Sequence, residues 1–281
     1  MIKSILVGLD GSPASETGLI QAVSWARLLK AELRGVFIED EQRFVSYPTG
    51  ISAEGGVPIS VPLPENELAE ENDKVRAEGK ALQSAYEKAA QGLSGASFTQ
   101  IRGNINDLMT QEARLADMVV MGRRGKNEQR NSRKPGPTTE TLIHNALRPV
   151  MVVPENPVEG GVLLAFDGSV GGQRVLPSGV ELAAAKGGRL DVISIGEDQD
   201  EAARMQSGLL KYLSPYKLDM EFSHQKKQGR ISDMIVSEAR HRRSGLIVMG
   251  AFGHNPIREL IFGSTTLEVL EETICPVLLM V

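Results

Sequence analysis

Short runs of apolar residues alternate with longer segments of helical periodicity along the whole chain. In the first half, the apolar runs predict strands near 2–9, 33–38, 98–102, 117–122 and 149–153. The segments between them predict helices near 13–30, 65–92, 105–115 and 137–146. Strands that alternate with helices in this way are typical of a parallel, doubly wound α/β sheet.

The second half of the chain repeats the first. The strand that runs into Asp10 recurs as the strand that runs into Asp167, and each aspartate is followed by Gly-Ser. Residues 118–122 recur as 246–250, and residues 149–153 recur as 276–280. In the second half we therefore predict strands near 161–166, 189–195, 219–224, 245–250 and 276–281. The Pro- and Gly-bearing stretch 154–160 predicts a boundary between two tandem domains, 1–154 and 160–281.

Composition narrows the class of protein. The 281 residues suit two domains of ordinary size, and the net charge of −5 argues against a nucleic-acid partner. No apolar run approaches the roughly 20 residues that a membrane-spanning helix needs, and the N-terminus lacks the pattern of a signal peptide. The one cysteine, Cys275, excludes an internal disulfide. We expect a cytoplasmic protein that binds neither nucleic acid nor membrane.

Glycines cluster where a ligand would bind in such a sheet. Ligands of parallel α/β sheets bind at the carboxyl ends of the strands, between the first strand and the fourth. In the second half these strands end at Asp167 and Gly250, and Gly253 and Gly263 follow. Glycines let backbone N–H groups approach phosphate oxygens, and the helix that begins at Gly263-Ser264-Thr265 offers further unpaired N–H groups. The pattern indicates a phosphate-binding loop, with Asp167 on the opposite side.

With these residues the chain resembles the universal stress protein family in its tandem form. The family's nucleotide motif is Gly, two residues, Gly, nine residues, Gly and then Ser or Thr, which Gly250, Gly253, Gly263 and Ser264 match. The resemblance implies two tandem Rossmann-like domains of the adenine nucleotide α-hydrolase type, each a five-stranded parallel sheet flanked by helices. It also implies that ATP binds, with or without Mg, and that the last strands of the two domains pair as a pseudo-dimer within one chain. A homodimer of whole chains stays open.

The resemblance extends the site to the second strand, because family members contact adenine through main-chain atoms at its end, here Ile195. The predicted ATP site comprises Asp167, Ile195, Gly250, Gly253, Gly263, Ser264 and Thr265.

The first half departs from the motif. Its matching positions are Asp10, Ile38, Gly122, Gly125, Gly136 and Thr138. Ten residues rather than nine separate Gly125 from Gly136, and Pro137 stands where the motif has Ser or Thr. Proline has no N–H to donate, so we expect a degenerate second site and one good site per chain. The basic loop 123–135 is expected to be a solvated charge run, with phosphate binding by its side chains as the alternative.

The remaining features carry weaker expectations. Residues 41–64 form an insertion found only in the first half, which predicts a surface loop or a lid. The four histidines lack metal-ligand spacing, and Cys275 is expected to be a buried, inert thiol. No catalytic set emerges, so we expect a stress-associated ATP-binding regulator with little or no turnover. The alternatives are an adenylating or nucleotide-hydrolysing enzyme and a nucleotide-free interaction protein.

Overall fold

Strands and helices alternate through the first half as the sequence predicts. The computed structural model of the chain describes residues 1–46, 60–126, 133–145, 147–251 and 263–280. The strands of the first half are β1 (Ser4–Gly8), β2 (Glu32–Asp40), β3 (Val45–Ser46), β4 (Val61–Pro62), β5 (Ala96–Gly103), β6 (Met118–Gly122) and β7 (Val150–Val153). Its helices are α1 (Pro13–Leu29), α2 (Glu65–Ala89), α3 (Ile105–Ala113) and α4 (Pro137–Asn145).

The second half repeats this order without the β3–β4 pair. Its strands are β8 (Gly161–Ala165), β9 (Arg189–Ile195), β10 (Asp219–Gln225), β11 (Ser244–Gly250) and β12 (Val277–Met280). Its helices are α5 (Val170–Ala185), α6 (Gln199–Leu213), α7 (Ile231–His241) and α8 (Ser264–Glu272). Among the described residues, none of the helices combines the length and apolar character needed to cross a bilayer.

Ten of the strands form one continuous sheet, in the order β10-β9-β8-β11-β12-β7-β6-β1-β2-β5. Neighbouring strands run parallel within each half, and β7 and β12 pair antiparallel, with Val152 opposite Val277. This is the strand pairing that the resemblance predicts between the two halves. In the first half β1 lies between β2 and β6, and in the second half β8 lies between β9 and β11. The strand order therefore reverses at β1 and at β8, which are the two switch points. The predicted fold class is confirmed.

Helices cover both faces of the sheet. One apolar cluster packs α1, α2, α5 and α6 against the sheet, through side chains such as Trp25, Tyr86 and Leu182. The cluster on the opposite face packs α3, α4, α7 and α8, through Met109, Leu142 and their neighbours. Both clusters include residues of both halves, so burial of apolar surface stabilises the two halves as one sheet.

The insertion of the first half is more than the surface loop that the sequence predicts. Residues Glu41–Phe44 form a 3-10 turn, and β3 and β4 pair antiparallel. Phe44 is buried against Phe37 and Val75, and the Arg102 guanidinium lies 3.8 Å from the centre of the Phe44 ring. An aromatic side chain therefore anchors the start of the insertion. Residues 47–59 lie outside the described residues.

Cys275 is buried just before β12, as the sequence predicts. Its side chain is 3% exposed, and its thiol donates a hydrogen bond to the Ser244 carbonyl over 3.1 Å. Burial raises the pKa of Cys275, so less of the reactive thiolate is present at neutral pH.

We expect Cys275 in the folded protein to react with a thiol reagent at least about 100-fold more slowly than in unfolded chain. Stopped-flow or absorbance measurement of labelling with and without denaturant checks this. Equal rates in the two states would contradict the packing of β12 described above.

Candidate functional site

Helix α8 begins at the switch point of the second half. Gly263 precedes its first turn, and the Thr266 hydroxyl donates to the Ala251 carbonyl over 2.8 Å. Ala251 directly follows β11, so this buried hydrogen bond holds the start of the helix against the carboxyl end of the sheet. The structure therefore brings Gly250 and the Gly263-Ser264-Thr265 segment together, as the sequence predicts.

The start of α8 is suited to an anion. The first hydrogen bonds of the helix run from the N–H groups of Thr266 and Leu267 to the Gly263 carbonyl, over 2.9 and 3.2 Å. The N–H groups of Ser264 and Thr265 precede these bonds, and no side chain in the described parts of the chain caps the helix. Unpaired N–H groups and the helix dipole both favour negative charge at this position.

A cavity of about 540 Å³ opens at this end of the sheet. It reaches from the start of α8 across the ends of β11, β8, β9 and β10. Six of the seven residues predicted for the ATP site line it, namely Asp167, Ile195, Gly250, Gly263, Ser264 and Thr265. The seventh, Gly253, lies outside the described residues. Isoleucine and methionine side chains supply apolar wall between the polar ends of the cavity: Ile193, Ile195, Ile231, Ile235 and Met249.

Asp167 shapes the turn beside the cavity. Its carboxylate accepts a hydrogen bond from the Ser169 N–H over 2.9 Å. The capping of α5 falls instead to Ser169, whose hydroxyl oxygen accepts from the Gly172 N–H over 3.1 Å. Asp167 therefore stands one turn before the helix, at the edge of the cavity, with its position set by the backbone.

Gly250 has a packing reason to be glycine. A Cβ at this position would lie 2.8 Å from the backbone of Gly171 and Gly172 in α5. The matching Gly122 of the first half meets the backbone of α1 equally closely. By contrast, a Cβ at Gly263 would make only ordinary contacts, the nearest 3.6 Å from the Ala251 carbonyl oxygen. The first glycine of the motif allows helix packing, whereas the third leaves space at the start of α8.

The corresponding cavity of the first half is small. It measures about 110 Å³, and it is lined by Asp10, Ile38, Gly122, Gly125 and Thr138 among others. The remaining predicted residue, Gly136, is buried, and its N–H donates to the Arg123 carbonyl over 2.8 Å.

Residues 123–126, which directly follow β6, border this smaller cavity. The Asp10 carboxylate accepts from the Ser12 N–H over 2.9 Å and from the Lys126 N–H over 2.8 Å. The Ser12 hydroxyl donates to the Arg124 carbonyl over 3.2 Å. Both oxygens of the Asp10 carboxylate thus already accept hydrogen bonds from backbone N–H groups of the chain itself.

Two residues of the basic loop, Arg123 and Arg124, depart from the solvated charge run that the sequence predicts, whereas Lys126, Arg133 and Lys134 are exposed as expected. Arg123 is half-buried, and its guanidinium donates to the carbonyls of Leu270 and Thr273, over 2.6 and 3.2 Å. Arg124 forms an ion pair with Glu155. Lys126 is exposed and pairs with Glu78 over 3.2 Å. The partners of these side chains are far away in sequence, so the spacing of the loop residues does not reveal them.

Sequence reasoning missed four polar residues of the larger cavity. Ser194, Asp198, Glu201 and His224 line its far end, beyond the ends of β9 and β10. The rule that ligands bind at the carboxyl ends of parallel strands would have singled out His224, which is the next-to-last residue of its strand. Over the described residues, no group of three or more His, Cys, Asp or Glu side chains is placed to hold a metal ion.

Comparison with known proteins adds relatives along the whole chain. The universal stress protein of Synechocystis sp. named Slr1230 is 26% identical over 291 residues, covering 99% of each chain. The universal stress protein Rv1996 of Mycobacterium tuberculosis is 28% identical over 179 residues, which cover 59% of this chain and 54% of the relative.

Solved structures share the fold. A universal stress protein from Archaeoglobus fulgidus superposes with a TM-score of 0.72 at 18% identity, covering 99% of this chain and 95% of that one. The functionally unknown protein PA1789 from Pseudomonas aeruginosa superposes with a TM-score of 0.64 at 17% identity, covering 99% and 92%. The universal stress protein family matches this sequence twice, over residues 1–154 and 161–280, so the chain belongs to the universal stress protein family.

Proposed function

We propose that the protein is a stress-associated regulator that binds ATP in its second half, within the domain 160–281. The observation that carries the proposal is the cavity of about 540 Å³ that ends at the start of α8. Its volume falls within the range of sites that hold small molecules and cofactors. The N–H groups at Ser264 and Thr265 suit a phosphate, and the apolar wall beside them suits a purine ring.

The two halves are proposed to differ in this activity. In the domain 1–154, the cavity of about 110 Å³ is too small for a nucleotide, and the loop after β6 uses the Asp10 carboxylate. Pro137 also lacks the N–H that Ser264 offers at the matching position. The first half is therefore proposed to serve the shared sheet, and the second half to bind the nucleotide.

Binding rather than turnover is proposed because, among the residues that the structure describes, the lining offers no paired acid and base beside the start of α8. Asp167 is the carboxylate that lines the cavity at the end of β8, and its oxygen already accepts a hydrogen bond from a backbone N–H. If Mg accompanies the phosphates, the Asp167 carboxylate and the phosphate oxygens would be its ligands, because Mg prefers oxygen ligands of these two kinds.

We expect a stoichiometry of one ATP per chain. Isothermal titration calorimetry of the purified, nucleotide-free protein measures it, and phosphate release measured in parallel detects turnover. The variant Pro137→Ser supplies the matched control. Its new hydroxyl and N–H leave the closed loop and the small cavity unchanged, so its stoichiometry should also stay at one.

A stoichiometry of two for the unchanged protein would contradict the proposed difference between the halves. Absence of heat and of any thermal shift with ATP, with or without Mg, would contradict the proposed function itself. Sustained phosphate release at ordinary enzymatic rates, about 1 s⁻¹ or more, would favour an enzyme instead.

A further inference from the structure

A methionine stands in the wall of the larger cavity. Met205 and Glu201 lie four residues apart on α6, so they share one face of that helix, and both line the cavity. Met205 is partly exposed, whereas Met249, the second methionine of the described lining, is 6% exposed. Met205 is therefore the more accessible of these two thioethers.

The sulfur of Met205 packs against the turn that follows β8. A Cβ built on Gly168 would lie 3.2 Å from the Met205 Sδ, and Gly168 has φ +73°, a conformation that favours glycine. The side chain also packs against the apolar cluster beneath α6. Because the turn fills one side of the sulfur, an atom added to the sulfur must enter the cavity or displace the turn beside Asp167.

The first half has a leucine at the matching place. A Cβ built on Gly11 would lie 3.7 Å from the Leu82 Cδ2, so Leu82 on α2 covers this turn as Met205 covers the turn at Gly168. Both side chains pack against the same apolar cluster. Packing on the turn therefore does not require sulfur, and the thioether is particular to the half that is proposed to bind the nucleotide.

The thiol of the chain is shielded from oxidants. Cys275 is 3% exposed, and burial raises the pKa of its thiol. Such a thiol reacts slowly with peroxides, because the thiolate is the reactive form. A thioether has no proton to lose, so its oxidation does not depend on a pKa. Oxidation is therefore expected at accessible methionines before Cys275.

We propose that Met205 is a site of reversible oxidation by peroxides, and that its sulfoxide weakens nucleotide binding in the larger cavity. The sulfur attacks one oxygen of hydrogen peroxide, so an S–O bond forms while the O–O bond breaks. The second oxygen leaves as water after a proton transfer, and the sulfur has lost two electrons to the peroxide. A methionine sulfoxide reductase with a thiol reductant returns the two electrons and releases the oxygen as water. The proposal rests on the proposed function, since it assigns the regulation of the same cavity.

The sulfoxide changes both the shape and the polarity of this wall. Its oxygen accepts hydrogen bonds that the apolar cluster around the side chain cannot donate. If the oxygen enters the cavity, it adds partial negative charge to a wall that already carries Asp167 and Glu201. If it displaces the turn instead, Asp167 moves with the turn. Both outcomes disfavour a bound nucleotide.

The experiment oxidises the protein with hydrogen peroxide and measures the ATP affinity by calorimetry, while peptide mass spectrometry locates the sulfoxides. We expect oxidation to weaken ATP binding by the parent protein about 10-fold. Met205→Leu should bind ATP like the parent before oxidation, because leucine and methionine have similar volumes, and should stay within about twofold of that affinity afterwards. Treatment of the oxidised parent with a methionine sulfoxide reductase should restore its affinity.

Met234→Leu is the matched control. Met234 is also partly exposed, but it lies on α7 and is not among the described residues that line the cavity. Oxidised Met234→Leu should therefore lose as much ATP affinity as the oxidised parent. In the parent, bound ATP should slow the oxidation of Met205 and leave that of Met234 unchanged, because only Met205 lies in the wall of the cavity.

The outcomes separate this inference from the proposed function. An equal loss of ATP affinity in oxidised Met205→Leu and in the oxidised parent overturns the inference alone, and so does a parent whose affinity survives complete oxidation of Met205. Oxidation of Met205 at the same rate with and without ATP also overturns it, because Met205 would then lie away from the nucleotide. A parent protein that binds no ATP before oxidation overturns the proposed function.

Discussion

Replacement of Gly263 by valine is expected to weaken ATP binding at least about 100-fold, which corresponds to about 2.7 kcal/mol. The isopropyl group would occupy the space in front of the Ser264 and Thr265 N–H groups, where a phosphate must approach. The backbone at Gly263 has φ −52° and ψ 130°, a conformation open to any residue. Its new Cβ would make only ordinary contacts, so the substitution acts on the site rather than on the fold.

The measurement is the shift in Tm caused by ATP, together with the affinity from calorimetry. Without ligand, Gly263→Val should lose at most about 1 kcal/mol of unfolding free energy, since valine is a poorer residue than glycine at the start of a helix. With saturating ATP, the parent protein should gain several degrees in Tm and the variant should gain almost none.

Gly250→Ala and Gly122→Ala are the matched controls. In each variant the new methyl group would meet helix backbone at 2.8 Å, so we expect a loss of about 1–3 kcal/mol in unfolding free energy. Gly122→Ala should leave the ATP affinity unchanged because it lies in the other half. If Gly263→Val bound ATP as tightly as the parent protein, the nucleotide site would have to lie away from the start of α8.

The periodicity of apolar residues predicted most of the strands and helices, because the residues that each element buries follow one another at a regular spacing along the chain. The strands near 33–38 and 98–102 are present as β2 and β5, each slightly longer than predicted. The fourth strand, the glycines and the start of α8 could also be placed, since the carboxyl edge of a parallel sheet collects the ends of its strands. Asp167 and Gly263 therefore line one cavity although they are far apart in sequence.

Contacts that depend on two distant elements could not be predicted in this way. Nothing in the sequence around Met205 indicates that its sulfur lies beside Gly168, because that depends on how α6 packs over the turn after β8. Phe44 illustrates the same limit: its burial follows from Phe37 and Val75, which lie on other elements. Charge patterning predicted solvent for Arg123, whereas its acceptors lie in the other half of the chain.

Arg123 links the first-half loop to the helix that begins at the proposed phosphate site. Its guanidinium donates to the Leu270 carbonyl in the last turn of α8 and to the carbonyl of Thr273, which directly follows the helix. Carbonyls at a helix C-terminus lack partners within the helix, and a cation at that end is stabilised by the helix dipole. Burial, reinforced by the neighbouring Arg124, lowers the pKa of Arg123, but an arginine remains charged at neutral pH. Arg123 of the first half thus contacts the end of the helix that is proposed to bind the nucleotide in the second half.

Arg123→Ala is expected to lower the unfolding free energy by about 2–3 kcal/mol, because two carbonyls lose charged donors and the half-buried side chain leaves a gap. Chemical denaturation measures the loss. Hydrogen exchange locates it: amides in the last turn of α8 should lose protection, whereas those of α4 should keep theirs. Lys126→Ala is the matched control from the same loop, and it should change stability by no more than about 0.5 kcal/mol because its ion pair with Glu78 is exposed.

The two variants each remove one positive charge from the same loop, and they differ in the burial of the side chain and in what its charge contacts. Equal losses of unfolding free energy in Arg123→Ala and Lys126→Ala would mean that the loop acts through its net charge. The contact between Arg123 and α8 would then not be the cause of the loss. Unchanged protection in α8 would lead to the same conclusion. A loss confined to Arg123→Ala and to α8 would show that the loop of the first half stabilises the helix that is proposed to bind phosphate in the second.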